Sequence, residues 1–342
     1  MASQNPGSRH IVTISSDSPN LDGHPPSPRP NQPLSEGSDI YYTDPGLGKI
    51  TRNGSLIRRQ GRHIGVNWNK IKEGDVLDKK NLPKTFSISM FPTVSLENEQ
   101  TLNSLLDVFE LYNNLIPTHW GNNETIRLNY DKQEIVEQIV RKQPRFSEIH
   151  LHRTTEMKYN GYFSLDGSNF RSFLTFNFTS LPQAQWPILF ELSERLAEIV
   201  KPRYGNTHIY WPSTIPWTTD LQKYHRWMNF SAQIAPVNFG PRGPLGLGLR
   251  TYFNNELVEL LGRDVLQNMP ALICEKEWGG VQIDITEKPW ESSPDQLLDS
   301  WLKATDHLEA TEILAVPNYS KDKRTVTFAV NKKWKEFIDS IK

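Results

Sequence analysis

The spacing that most directly suggests chemistry in this chain is His150-x-His152. On an extended segment, two residues that far apart point to one face of a strand. Glu148 shares that face. Two imidazoles and a carboxylate could begin a metal site, and a metal-dependent hydrolase could be built on it. Such a site needs three or four organised ligands, however. His and Glu on the polar side of an amphipathic strand are more often plain surface.

Glu275, Glu277, Asp284 and Glu287 surround Trp278-Gly279-Gly280. A carboxylate pair at the right separation could hydrolyse a glycoside, but acidic residues beside a strand mostly keep it soluble. His119-Trp120-Gly121 follows Pro117. Trp120 is expected to close the core and His119 to be exposed. A general base needs a partner within hydrogen-bond reach, and the sequence offers His119 none. His225-Arg226-Trp227 allows a cation–π contact, with local packing the commoner outcome. Gly46-x-Gly48 lacks the Lys-Ser/Thr and the helix of a phosphate loop, and Gly246-x-Gly248 opens a strand where a dinucleotide fingerprint opens a helix. There is no Gly-x-Ser-x-Gly, and the one cysteine, Cys274, reads as a small buried hydrophobe after Leu272-Ile273. The expectation is therefore a protein with no catalytic residues, cofactor or metal.

The scaffold that would position these residues repeats one local pattern three times. Phe86–Phe91, Phe173–Phe178 and Gly280–Ile285 alternate as strands, and amphipathic helices at 97–115, 186–200 and 294–308 follow them. In the second strand the core set is Leu174, Phe176 and Phe178. Ser293-Pro294-Asp295 reads as a Ser cap followed by Pro at the first helical position. A helix at 131–142 and a strand at 149–152 lie between the first two units. Strands at 246–253, 270–275, 313–316 and 326–330 are expected to complete the sheet, with a short helix at 254–262 and a last one carrying Trp334 and Phe337. Residues 205–245 combine many prolines with many aromatics and read as a long loop, either functional or locally packed.

The fold class expected is α+β: mixed or antiparallel sheet, with helices packed mainly on one face. Residues 1–40, rich in Pro and Ser, read as a disordered tail. Residues 41–83 form a turn-rich extension, in which Asn53-Gly54 suggests a hairpin between Ile50-Thr51 and Leu56-Ile57. Residues 84–342 are the globular domain, with 84–205 and 245–330 as two similar halves.

A net charge of -1 over 342 residues argues against general nucleic-acid binding. No apolar stretch approaches a membrane span, and Ile11–Ile14 is too short for a signal peptide. A single cysteine forbids an internal disulfide and fits a reducing compartment. A cytoplasmic protein that does not engage a membrane is the expectation.

Several blocks resemble the immunity protein 52 family in their order along the chain. They are Leu106-Asp-Val-Phe109, Leu115-Ile-Pro117 with Trp120, Phe163-Ser-Leu-Asp-Gly167, Ala197 to Tyr204, Arg226 to Phe230, Gly279 to Ile283, and Glu287-Lys-Pro-Trp290. The resemblance implies an antidote that binds and neutralises a cognate bacterial toxin, acting stoichiometrically and without catalysis. It leaves the first 80 residues without a counterpart. Trp217, Tyr224, Arg226, Trp227, Trp278 and Trp290 are the expected contacts, because interfaces favour Trp, Tyr and Arg. The alternatives are a metal-dependent hydrolase on His150 and His152, or an adaptor that uses the proline-rich tail.

Overall fold

The computed structural model describes residues 40–44, 48–51, 55–57, 63–65, 85–141, 147–165, 172–179, 181–211, 221–231, 239–320 and 325–341. Of the tail expected at 1–40, residues 1–39 lie outside the described residues, and Ile40 belongs to a strand. The chain divides into two compact units, Met1–Lys72 and Glu73–Lys342. The first carries an antiparallel meander of β1 (Ile40–Asp44), β2 (Gly48–Thr51), β3 (Ser55–Ile57) and β4 (His63–Gly65). Its β2–β3 register pairs Ile50 with Leu56, which is the hairpin expected around Asn53-Gly54.

The second unit is built on a ten-stranded sheet. In chain order its strands are β5 (Thr85–Phe91), β6 (His119–Gly121), β7 (Leu128–Asn129), β8 (Glu148–Arg153), β9 (Tyr159–Ser164), β10 (Phe173–Phe178), β11 (Tyr204–Tyr210), β12 (Arg250–Phe253), β13 (Leu272–Glu275) and β14 (Val281–Asp284). Their spatial order is β13-β14-β12-β11-β5-β10-β9-β8-β6-β7, and the paired neighbours run antiparallel. The expected α+β class with an antiparallel sheet is what the chain adopts. A separate hairpin joins β15 (Val316–Ser320) to β16 (Thr325–Ala329). The C-terminal strands were expected to finish the main sheet. They pair only with each other among the described residues.

The helices are α1 (Glu99–Glu110), α2 (Lys132–Arg141), α3 (Trp186–Val200), α4 (Leu221–Phe230), α5 (Phe239–Arg242), α6 (Asn255–Leu261), α7 (Arg263–Gln267), α8 (Pro294–Glu309) and α9 (Lys332–Ser340). Their ends follow from side-chain caps. Asn98 Oδ1 accepts from the Thr101 amide at 3.1 Å at the start of α1. Ser293 and Gln296 form a reciprocal capping box on α8, with Pro294 at its first turn. The chain leaves α3 through Lys201 in a left-handed conformation, and Pro202 follows.

Residues directly paired across antiparallel strands share a face. One face therefore carries Phe86, Ile88, Met90, Leu174, Phe176 and Phe178, all buried. Phe86 meets Trp186 of α3 with ring centroids 5.1 Å apart, and Phe176 meets Phe109 of α1 at 4.7 Å. Gly161 sits under the Phe176 ring; a Cβ there would lie 2.5 Å from Cε1.

The opposite face is covered differently at its two ends. At the β11–β12 end, Tyr204 stacks on Phe239 of α5 at 5.5 Å, and Phe239 packs on Trp334 of α9 at 5.2 Å. Phe230 of α4 meets Trp301 of α8 at 5.4 Å. The Trp301 indole donates to the Leu247 carbonyl at 2.7 Å. These helices lie opposite α1 and α3, so this end of the sheet is sandwiched.

Residues 205–245 are thus not one loop. They contain a central strand, β11, and the helices α4 and α5. Gly205-Asn206-Thr207-His208 carries no apolar alternation, because β11 is buried on both faces. Its polar side chains are bonded only in part, Asn206 Oδ1 and His208 Nδ1 being left without a hydrogen-bond partner among the described residues. Thr207 donates to Ser193 Oγ of α3, which lies 3.2 Å from the Tyr252 hydroxyl.

Candidate functional site

The register puts one polar set on the second face over β6, β8, β9 and β10: His119, Glu148, His150, His152, Asn160, Tyr162, Ser164, Phe173, Thr175 and Asn177. His152 pairs directly with His119 on one side and Asn160 on the other; His150 pairs with Tyr162. The His150 and His152 rings stack with centroids 6.2 Å apart, and Tyr162 meets His150 edge-on at 5.0 Å. Tyr162 then packs on Phe173 at 5.1 Å. Among the described residues, no ring contact or side-chain hydrogen bond of this set reaches a helix. Asn160 is exposed, and Tyr162, His150, Phe173, Thr175 and Asn177 are half-buried.

His152 is the exception, with 5% of its surface exposed, where the sequence had suggested an open surface position. His152 Nδ1 lies 2.8 Å from Asn160 Oδ1. An amide oxygen only accepts, so Nδ1 carries the proton and Nε2 holds a lone pair. That Nε2 is buried and has no hydrogen-bond partner. Burial pushes the His152 pKa down, against the opposing effect of the Asn160 hydrogen bond. Burial and the nearby Glu148 carboxylate push the Tyr162 phenol up. Glu148 Oε1 approaches His150 Nε2 at 3.2 Å without hydrogen-bond alignment. The two imidazoles and the carboxylate foreseen on one face are therefore together. Among the described residues, though, no group of three or more His, Cys, Asp or Glu side chains is placed to hold a metal ion.

The expected contact residues are scattered. Trp217 lies outside the described residues, and the side chain of Tyr224 is likewise not described. Trp227 is 2% exposed and packs between Trp211 and Phe230, so it belongs to the core. Arg226 is half-buried on α4 and pairs with Asp306 of α8 at 3.3 Å. Trp290 is half-buried against Phe190 of α3, at 5.5 Å, on the other side of the sheet. Trp278 is half-buried at the β13–β14 turn and packs against the core. The aromatic signal in 205–245 was mostly that of a core, since burying large rings is what anchors α4 and α5. His119 is half-buried where exposure was expected, and its Nδ1 lies 2.9 Å from Thr118 Oγ1. Trp120, at 1% exposure, closes the core as expected.

The carboxylates near Trp278 do not form a pair. Asp284 takes a two-pronged contact from Arg250, at 2.6 and 3.0 Å, and a hydrogen bond from the Gln282 amide at 2.7 Å. Arg250 also donates to the Phe190 carbonyl at 2.9 Å. Lys276 donates to Glu194 at 2.6 Å and lies 3.4 Å from Glu198. This ionic network ties α3 to β12 and β14, and Glu275 projects into solvent, 75% exposed. Arg250 and Asp284 had no sequence signal as a pair, because they lie on different strands.

No family model matches this chain, and no curated protein matches it in sequence. Among solved structures it is similar to the Pseudomonas aeruginosa T6SS protein PA0821, with a TM-score of 0.42 and 15% identity, over 75% of this chain and 81% of that one. No described helix is long and apolar enough to cross a membrane.

Proposed function

We propose that this chain is a binding protein of the immunity type, which neutralises a cognate bacterial toxin by stoichiometric contact. The observation that carries the reading is the second face over β8, β9 and β10. It presents half-buried Tyr162, Phe173 and His150 beside exposed Asn160. Aromatic anchors interleaved with hydrogen-bonding groups suit a protein interface. Rigid strands hold them, so little ordering entropy is lost on binding. The resemblance in residue blocks supports the same reading at the level of the scaffold. Leu106, Phe109, Leu115, Trp120, Phe163, Ala197, Tyr204, Trp227 and Phe230 are all buried in one core.

The test is co-expression with the toxin encoded beside this chain's gene. Rescue of growth, co-purification at a fixed ratio, and loss of both in Tyr162→Ala with His150→Ala are expected. Unrescued toxicity with no isolable complex would overturn the proposal.

A metal-dependent hydrolase is the second reading, favoured only by the free lone pair on His152 Nε2 next to His150. Elemental analysis of the purified protein decides it, with metal lost in His150→Ala and His152→Ala as the supporting outcome. The adaptor reading rests on residues outside those described, and deletion of residues 1–40 tests it.

A further inference from the structure

We infer that β13 pairs with β13 of a second copy, joining two sheets edge to edge; this inference is independent of the toxin-binding reading. Among the described residues, β13 is the last strand at its end of the sheet. The Lys276 amide donates to the Gly280 carbonyl at 2.8 Å, and the register places Cys274 opposite Gln282 and Leu272 opposite Asp284. In an antiparallel pair, hydrogen-bonded residues alternate with residues whose backbone groups point away. The inward-bonding positions are therefore 272, 274 and 276. The N–H and C=O of Ile273 and Glu275 face away from β14, where among the described residues the Glu275 carbonyl accepts only from the neighbouring Cys274 Sγ, at 3.5 Å.

The side chains on this edge are unlike those of a protected one. Leu272 is 51% exposed, Ile273 is half-buried, and Cys274 is exposed where the sequence reading expected burial. Native edges are usually blunted by lysine, proline or a bulge within the strand. Leu272–Glu275 carries no lysine, proline or bulge, and its one charged side chain is Glu275, 75% exposed. The opposite end of the sheet finishes in β7, which is only two residues long.

The occupant follows from self-complementarity. A two-fold axis at Ile273 lets its N–H and C=O bond reciprocally to Ile273 of the second copy. The Glu275 N–H then reaches the Ala271 carbonyl of the other chain, whose own amide already donates to Met269. In this register Leu272 lies opposite Cys274 of the second copy on one face, and Ile273 lies opposite its equivalent on the other. Every exposed apolar group of the strand is covered by another. The two Glu275 side chains fall four positions apart along the strands, so like charges do not oppose each other.

The same register supplies its own test. Leu272 and Cys274 of the second copy form a non-hydrogen-bonded pair, with Cα atoms about 4.5 Å apart, which a disulfide spans. In the full-length chain, L272C is expected to cross-link to Cys274 of the other copy under mild oxidation, and peptide mapping identifies the bond. Within one chain the two thiols sit two positions apart along a strand, about 7 Å, and do not join. The native chain is expected to show a concentration-dependent dimer by analytical ultracentrifugation. L272E combined with C274E places carboxylates directly opposite each other at solvent-exposed positions, which keeps the fold and weakens self-association by about tenfold or more. A native chain that stays monomeric at every concentration would overturn the inference. So would L272C bonds that map to any other pair, or a double variant that dimerises as before.

Discussion

The two ends of one sheet face are built from the same antiparallel ladder and end differently. Over β11 and β12 the second face is closed by four helices, which bury its polar residues and bond only part of their polar atoms. His208 Nε2, for example, donates to the Phe230 carbonyl at 2.7 Å. Over β8, β9 and β10 the same face holds His150, Asn160, Tyr162 and Thr175, and their described contacts are mostly with one another. The first end spends its aromatics on stability. The second leaves Tyr162 and Phe173 half-buried, packed on each other and, for Phe173, on Phe91. The contrast teaches that aromatic richness marks a core when the rings meet helices, and a platform when they meet only neighbouring strands.

The comparison is tested most severely at the closed end. Trp301→Ala removes a ring that is 1% exposed and orphans the Leu247 carbonyl, and is expected to cost about 5 kcal/mol in a denaturant titration. A loss near 1 kcal/mol would mean that the helices there are not held by this packing. Asp284→Ala leaves Arg250 largely buried without its two-pronged partner, and about 3–4 kcal/mol should be lost in the same measurement.

The pH response of the closed end comes next in size. Burial lowers the His208 pKa to about 4, so the folded chain keeps this imidazole neutral. The unfolded chain takes up a proton below about pH 6.5, which the folded chain refuses until about pH 4. Stability is therefore full above about pH 6.5 and is lost as the pH falls toward 4, by about 3 kcal/mol from this group. His208→Gln should flatten the thermal-midpoint profile across that window. An unchanged slope would assign the acid response to other groups.

The smallest stability effect is expected at the open end. Tyr162→Ala should change the unfolding free energy by about 1 kcal/mol or less, while weakening toxin binding by about 2 kcal/mol or more in calorimetry. Equal losses in both measurements would make the open end merely another part of the core.

Local periodicity determined much of this protein on its own. The strand at 173–178 and the helix at 186–200 were readable residue for residue, because each has one apolar face and the period of that face identifies the element. Ser293-Pro294 fixed the start of α8 through its cap. The shared face of Glu148, His150 and His152 was equally legible, since strand geometry alone puts alternate residues together. Strand order was decided only by the tertiary structure. β11 is buried on both faces among partners from distant parts of the chain, so Gly205-Asn206-Thr207-His208 shows no alternation to read. Cys274 looked like a core residue because its neighbours are apolar. It is exposed because β13 ends the sheet, and no local pattern records where a sheet ends. Trp227 and Tyr162 are both large aromatics in mixed surroundings. One is core and the other half-open because helix α4 turns the first inward, whereas the described contacts of the second are to its own sheet. Burial of such residues depends on what long-range packing lays over them, and that is settled by the whole chain.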